Sequence, residues 1–304
     1  MNIVNAIKLF YKRCVALNIS NKTIQTYGFC FKNFQEYLSK QKIYDIEQVD
    51  SLVIDMFLAD RINKVKSITL LGDYRMLKTL FNYLNEYEYI AKNPMKRIRK
   101  PIVEKRLIKT YTGDDIAKIL HSFNTNDFIG LRNYTLMVLL FSTGIRKGEV
   151  GIRLTDVDMV TGFITVIGKG DKERVIPIGA GLKRTLKVYL RKRQDFLNEN
   201  NFSSTYIFIG KRGNKLSSSA LNNIFRSLKE SLGLPDNKRV SAHVWRHTFA
   251  KAFLLNGGEP FTLQKILGHS SLQTTRVYIN LNDNEVKAQN DKFNPLDNSR
   301  WQYY

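Results

Sequence analysis

Cysteine, acidic residues and long apolar runs are all scarce in this chain. The two cysteines, Cys14 and Cys30, are too few for a disulfide framework, and no Cys/His spacing resembles a zinc site. Buried, reduced thiols in a cytoplasmic protein fit that count. The longest apolar run, TLMVLLF at 135–141, falls far short of the ~20 residues a membrane span needs. The opening MNIVNAIKLFYKRC lacks the basic, apolar, small-residue order of a secretory signal. The shortage of acid is the most informative. Asp and Glu total 27 against 48 Lys and Arg, giving a net charge of +21 and a pI near 9.8. So basic a folded protein points to a polyanion partner, most often nucleic acid, although charge alone does not separate DNA from RNA or anionic lipid.

What is present suits a folded, two-domain protein of 304 residues, with 43% hydrophobic and 12% aromatic content. In TIQTYGFCFKNFQEYL the apolar residues Ile24, Tyr27, Phe31, Phe34 and Leu38 advance by threes and fours, which predicts a helix with Ser20 or Asn21 as its cap. Leu70, Tyr74, Leu77, Phe81 and Leu84 predict another. With less regular helices near 3–17 and 47–60, the first ninety residues read as a bundle of about four helices. A proline-broken stretch follows. Between Lys92 and Lys109 stand eight basic residues (Lys92, Lys96, Arg97, Arg99, Lys100, Lys105, Arg106, Lys109) and one acid, Glu104, a net +7. It reads as a solvated connector or as a strap along a phosphate backbone, which counterion release would favour.

Beyond it, Thr112 and Asp115 form a capping-box pattern, and LRNYTLMVLLF predicts an apolar helix ending at Gly144. The runs at 162–168 and 173–179 predict a β-hairpin turning at 169–172, and TYIFIG at 205–210 predicts a further strand. Residues 218 to about 280 read as mostly helical.

Four stretches carry chemistry. STGIRKGEV holds Arg146 and Glu149, and IGKGDKER holds Lys169 at the hairpin tip. SAHVWRHTFA holds His243 and Arg246, three apart and so on one helix face. LGHSSLQTTRVYI holds His269 and Tyr278. Each has a plain alternative: a solvated lysine, a structural histidine, a core tyrosine, an arginine in a core ion pair. His247 reads as structural, and Glu149 as a support for an arginine. Together they ask for one chemistry. Guanidinium groups match phosphate oxygens and stabilise growing charge there. A phenol of pKa near 10 can attack phosphorus if a histidine takes its proton. A lysine can protonate the leaving alkoxide. Without paired carboxylates or metal ligands, the set fits transesterification of a phosphodiester through a phosphotyrosyl intermediate.

In order and spacing, TGIRKGE, GKGDKERVIPI, HVWRH and LGHSSLQTTRVY resemble the tyrosine recombinase (phage integrase) family, closest in style to the Xer-like site-specific recombinases. The likeness covers nearly the whole chain. It implies a mainly α fold with a small β-sheet: an N-terminal helical (SAM-like) core-binding bundle and an α+β catalytic domain. The divisions it implies are a core-binding domain at 1–91, a basic linker at 92–110, a catalytic domain at 111–284 and a docking tail at 285–304. Trp301, Tyr303 and Tyr304 would anchor that tail on a neighbouring protomer. Carried over by position, Arg146 and Arg246 grip the scissile phosphate and Lys169 protonates the leaving 5′-hydroxyl. His243 handles the proton at the tyrosine, His269 binds the phosphate, and Tyr278 is the nucleophile. Trp245 departs from the family's usual smaller aliphatic residue and reads as a packing variant.

The resemblance implies no cofactor, neither metal nor ATP. Its partner would be double-stranded DNA with inverted-repeat core sites, bound as a dimer per site and a tetramer across two sites, with exchange through a Holliday junction in a bacterial, nucleoid-associated setting. An accessory protein or partner recombinase is left open. So is the choice between chromosome resolution and work on a mobile element; the abundance of Asn, Ile and Lys leans towards the latter, and no arm-binding domain is expected ahead of the bundle. The alternatives are type IB topoisomerase-like relaxation, and a catalytically idle DNA-binding protein of the same fold.

Overall fold

The computed structural model describes residues 1–103, 109–168, 172–234, 239–269 and 283–293. The chain divides into two compact units, Met1–Arg106 and Leu107–Tyr304.

The first unit is built on α1 (Ile3–Ala16), α2 (Asn21–Lys40), α3 (Ser51–Ile62) and α4 (Ser67–Glu86). The three-and-four spacing puts Phe31, Phe34 and Leu38 of α2 and Leu70, Tyr74, Leu77, Phe81 and Leu84 of α4 into one core. Ser20 caps α2 by accepting the Thr23 N–H. Phe34 packs edge-on against Phe57 and Phe81, with ring centroids 5.0 and 6.2 Å apart. Asp73 is buried in this core and is held by the Arg61 Nε at 2.8 Å.

Residues 94–98, read from the sequence as part of a connecting strap, belong to this core. Pro94, Met95 and Ile98 are buried, Ser51 Oγ donates to the Pro94 carbonyl at 2.8 Å, and Tyr74 Oη donates to the Ile98 carbonyl. Between and beyond those anchors Lys92, Lys96, Arg97, Arg99 and Lys100 are all exposed, so the segment buries its apolar side and turns its charge outward. Lys105 and Arg106 lie outside the described residues.

The second unit opens with α5 (Gly113–His121), whose Thr112 and Asp115 exchange both capping-box hydrogen bonds. Helix α6 (Phe128–Thr143) is apolar on most faces because it runs through the centre, packed by α7 (Ala180–Glu199) and α9 (Ala242–Leu255). Strands β1 (Val157–Asp158), β2 (Phe163–Ile167) and β3 (Glu173–Pro177) form an antiparallel meander in the order β1-β2-β3. Ile164 opposes Ile176, and Val166 opposes Arg174. The helices α8 (Ser218–Ser231), α10 (Pro260–Leu267) and α11 (Asp283–Phe293) complete the described residues, with Lys251 of α9 paired to Glu285 of α11 at 2.6 Å. No helix among the described residues is long and apolar enough to cross a membrane.

One expected element differs. Residues 205–210 make no strand, only isolated bridges from Tyr206 to Arg153 and from Ile209 to Lys215, and the third strand is Val157–Asp158. The cause lies in who accepts from whom. The Ser204, Tyr206 and Ile207 carbonyls take hydrogen bonds from the buried Arg193, Ile207 also takes one from Tyr189 Oη, and Ile209 takes one from Arg132. Side chains thus satisfy the backbone that a β-ladder would otherwise satisfy.

Candidate active site

Three chain reversals converge to make the site. The first is the end of α6. Gly144 closes that helix in the left-handed conformation, with φ +59°, and a Cβ there would lie 2.4 Å from the Phe249 ring. Its carbonyl accepts the Arg246 Nη1 hydrogen bond at 2.7 Å. The second is the 3-10 turn Lys147–Glu149, which follows Arg146 and folds Glu149 back onto it. The Arg146 backbone N–H donates to Glu149 Oε2 at 2.7 Å and its Nη1 to Oε1 at 3.0 Å. The third is the end of α10, where Gly268 (φ +64°) caps the helix and presents His269.

Arg246, on α9, is 3% exposed and joins the first of these reversals to the third. Besides Gly144 it donates from Nη2 to the Leu267 carbonyl at 2.8 Å, and the same nitrogen lies 2.7 Å from His269 Nε2. An arginine has no acceptor, so His269 Nε2 must accept, and the imidazole is neutral with its proton on Nδ1. Arg146 Nη2 donates to the Gly268 carbonyl at 3.2 Å. Arg146, Glu149, Arg246 and His269 are therefore brought to one place from segments 100 residues and more apart in sequence, as the hydrogen bonds between Arg246 and Gly144 (separation 102) and between Arg146 and Gly268 (separation 122) show. His243 is exposed in the first turn of α9, one turn before Arg246. Lys169 and Tyr278 lie outside the described residues.

The charges fix the protonation states. Burial would raise the Glu149 carboxyl, but hydrogen bonds from Arg174 and from the Arg146 backbone, with the charges behind them, bring it down to about 2. Burial, and then the charges of Arg246, Arg146 and Arg174, push His269 down to about 4. His247 is held down to about 4 by burial, with His243 and Arg246 adding to it. Trp245 is fully buried, its ring 4.9 Å from Tyr111 and 5.9 Å from Phe141, which fits a packing role. Among the described residues no group of three or more His, Cys, Asp or Glu side chains is placed to hold a metal ion.

One residue at the site was not singled out from the sequence. Arg174, on β3, donates from Nη1 and Nη2 to the two oxygens of Glu149 at 2.8 and 2.7 Å, and from Nε to the Ile266 carbonyl at 2.8 Å. A signal existed. In the ERVIPI run Arg174 shares the inward face with Ile176 and Ile178, and an arginine on the buried face of a strand needs a buried partner.

This chain is similar to known proteins along most of its length. The phage integrase family model matches residues 109–285. Tyrosine recombinase XerC of Thermodesulfovibrio yellowstonii is 31% identical over 281 residues, which are 91% of this chain and 91% of that protein. Tyrosine recombinase XerD of Listeria monocytogenes is 30% identical over 284 residues, 92% of this chain and 95% of that protein. Among solved structures, the XerH site-specific recombinase bound to a palindromic difH substrate in a post-cleavage complex superimposes with a TM-score of 0.74. It is 24% identical, covering 91% of this chain and 81% of that one, and shares the fold. With more than half its length matched by the family model and relatives at 30% identity along nearly all of it, this chain belongs to the phage integrase family of tyrosine recombinases.

Proposed function

We propose that this chain is a site-specific DNA recombinase whose active site is Arg146, Lys169, His243, Arg246, His269 and Tyr278, with Glu149 in support. Tyr278 Oη attacks the scissile phosphorus while His243 takes its proton. The bond from phosphorus to the 5′-oxygen breaks, Lys169 protonates that oxygen, and the DNA is left joined through a 3′-phosphotyrosine. Arg146, Arg246 and His269 bind the non-bridging oxygens and stabilise the charge that grows on them. The phosphotyrosine conserves the bond energy, so the 5′-hydroxyl of a partner strand reseals it by the reverse steps. Two such exchanges pass through a Holliday junction.

One observation supports this most strongly: Arg246 and His269 are hydrogen-bonded at 2.7 Å, while Arg146 is anchored on the carbonyl just before His269. Two permanent cations and a neutral imidazole held together at one turn form an anion site, and the fixed cations do the work a metal would otherwise do.

The relatives are bacterial recombinases, and the proposed setting is the bacterial cytoplasm, on the nucleoid. The substrate is duplex DNA carrying inverted-repeat core sites, with a dimer on each and a tetramer joining two. The exposed Lys92, Lys96, Arg97, Arg99 and Lys100, continuing to Lys105 and Arg106, lie along its backbone, and the 285–304 tail docks on a neighbouring protomer through its part beyond α11, since Glu285 is paired within the chain. The test is covalent capture. Wild-type protein is incubated with fragmented DNA from the source genome in EDTA, denatured in SDS, and the DNA that stays attached is sequenced. Adducts at one recurrent inverted repeat are expected. A strict need for added Mg²⁺, or attachment scattered without a shared sequence, would contradict the reading.

A further inference from the structure

We infer that Arg174 is a positioning residue for the phosphate site, holding Arg146 through Glu149 and the Gly268–His269 turn through the end of α10, and keeping Arg146's charge available to the substrate. The inference rests on Arg146 being a phosphate ligand, as proposed above.

Two arginines share Glu149, and their surroundings divide the labour. Arg174 is 11% exposed and spends all three guanidinium nitrogens on the protein, two on Glu149 and one on the Ile266 carbonyl. Arg146 is 34% exposed and touches Glu149 with one side-chain nitrogen and Gly268 with another. Arg174 holds; Arg146 meets the ligand. Glu149, 4% exposed, accepts four hydrogen bonds, one from the Arg146 backbone, one from its side chain and two from Arg174, which fills the acceptor sites of a carboxylate.

The electrostatics follow by counting charges. Arg146 with Glu149 alone would be a neutral pair with little pull on a phosphate. Adding Arg174 makes the cluster net positive, so the carboxylate orients Arg146 without cancelling it. Geometry supports the same division at the third reversal. Arg174 crosses Gly268 so closely that a Cβ there would sit 2.8 Å from Arg174 Cδ. The side chain thus packs on the turn that carries His269 and is bonded to the carbonyl two residues before Gly268.

The experiment compares single-turnover cleavage of a nicked duplex carrying the captured site, with either a normal phosphodiester or a neutral methylphosphonate at the cleaved position. Direct loss of one transition-state donor costs about 10²–10³-fold. Arg174→Gln, acting at one remove, is expected to slow the phosphodiester by about 10²-fold, the lower end of that range. On the methylphosphonate, which is neutral in the ground state and has a single non-bridging oxygen on which charge grows, the cluster has much less charge to stabilise, and the loss should stay within about threefold of wild type. Arg174→Lys keeps the charge without the fork, and should recover at least tenfold of the loss. It also serves as the test variant if Arg174→Gln does not fold. Equal losses on both linkages, or unimpaired phosphodiester cleavage by Arg174→Gln, would overturn the inference. Arg146→Ala separates the two levels. If it cleaves like wild type, or wild type itself cleaves nothing, the reading of the site fails and this inference falls with it. If Arg146→Ala is slow and Arg174→Gln is not, only the role of Arg174 fails.

Discussion

Glu149 and His269 make the site acid-sensitive, and the sign is the same for both. A carboxyl held at about 2 against an ordinary 4.5 stabilises the fold fully above about pH 4.5, and that contribution is lost as the pH falls towards 2. Its size is on the order of 3 kcal/mol, since a tenfold change in proton affinity corresponds to about 1.4 kcal/mol. A histidine held at about 4 instead of 6.5 acts earlier: the unfolded chain takes up its proton below about 6.5 while the folded chain refuses it until about 4. Stability is therefore expected to fall between pH 6.5 and 4, with a further fall below 4.5. His247, held at about 4 in the same way, acts over the same window, so His269→Gln should reduce the first part without abolishing it and Glu149→Gln should flatten the second, as melting temperatures across pH would show. An unaltered profile in both variants would contradict these assignments. A bound phosphodiester adds negative charge beside His269, so its pKa should rise when DNA binds. Imidazole NMR with and without the captured site would read that shift, and a pKa that stays near 4 would place the phosphate elsewhere.

Gly268 tests the local geometry more bluntly. It combines a left-handed backbone with the close passage of Arg174. Gly268→Ala should cost about 2–4 kcal/mol from backbone strain and overpacking together, and should move Arg174 off Glu149. Urea unfolding with its m-value measures the cost, and a loss below about 0.5 kcal/mol, the range of an ordinary surface change, would mean that the turn relaxes freely.

At the level of elements, the helices were legible because burial forces a period. Leu70, Tyr74, Leu77, Phe81 and Leu84 have one way to share a core, and Ser20 and Thr112 stand where unpaired backbone donors need an acceptor. The hairpin was legible from its two β-branched runs. Residues 205–210 were misread because an apolar run states burial without stating what bonds its carbonyls. Arg132 does so from 77 residues away, and Tyr189 and Arg193 do so from the preceding helix α7, by contacts that the run's own pattern does not encode. Arg174 was passed over for a related reason. Its partners are Glu149 and Ile266, 25 and 92 residues away, so its meaning exists only once three reversals have met.

The strap is the element with the clearest solution signature. Replacing Lys96, Arg97, Arg99 and Lys100 with Ala removes charges that Pro94, Met95 and Ile98 hold facing outward. Each phosphate left without its basic partner should reduce the slope of log K against log salt by about 0.9. Binding titrations from low to moderate salt give that slope. If the four replacements leave it unchanged, the exposed basic face lies off the DNA.

For the whole molecule, the net charge of +21 sets affinity for any nucleic acid, while the site decides what happens at one phosphate. The two should separate experimentally. Removing residues 294–304, which leaves α11 and its Lys251–Glu285 ion pair in place, is expected to impair recombination well beyond its effect on binding, because docking between protomers is lost. Equal losses in both would remove the docking role of the tail.

Identifying the atom that holds the DNA decides whether Tyr278 is the nucleophile. An adduct trapped on a nicked duplex is digested with nuclease and protease, and the peptide carrying the residual nucleotide is sequenced by mass spectrometry. A phosphate ester on Tyr278 is expected, with no adduct from Tyr278→Phe and none when the nick precludes a 3′ linkage. Attachment to any other side chain, or an equal yield from Tyr278→Phe, would contradict that role for Tyr278.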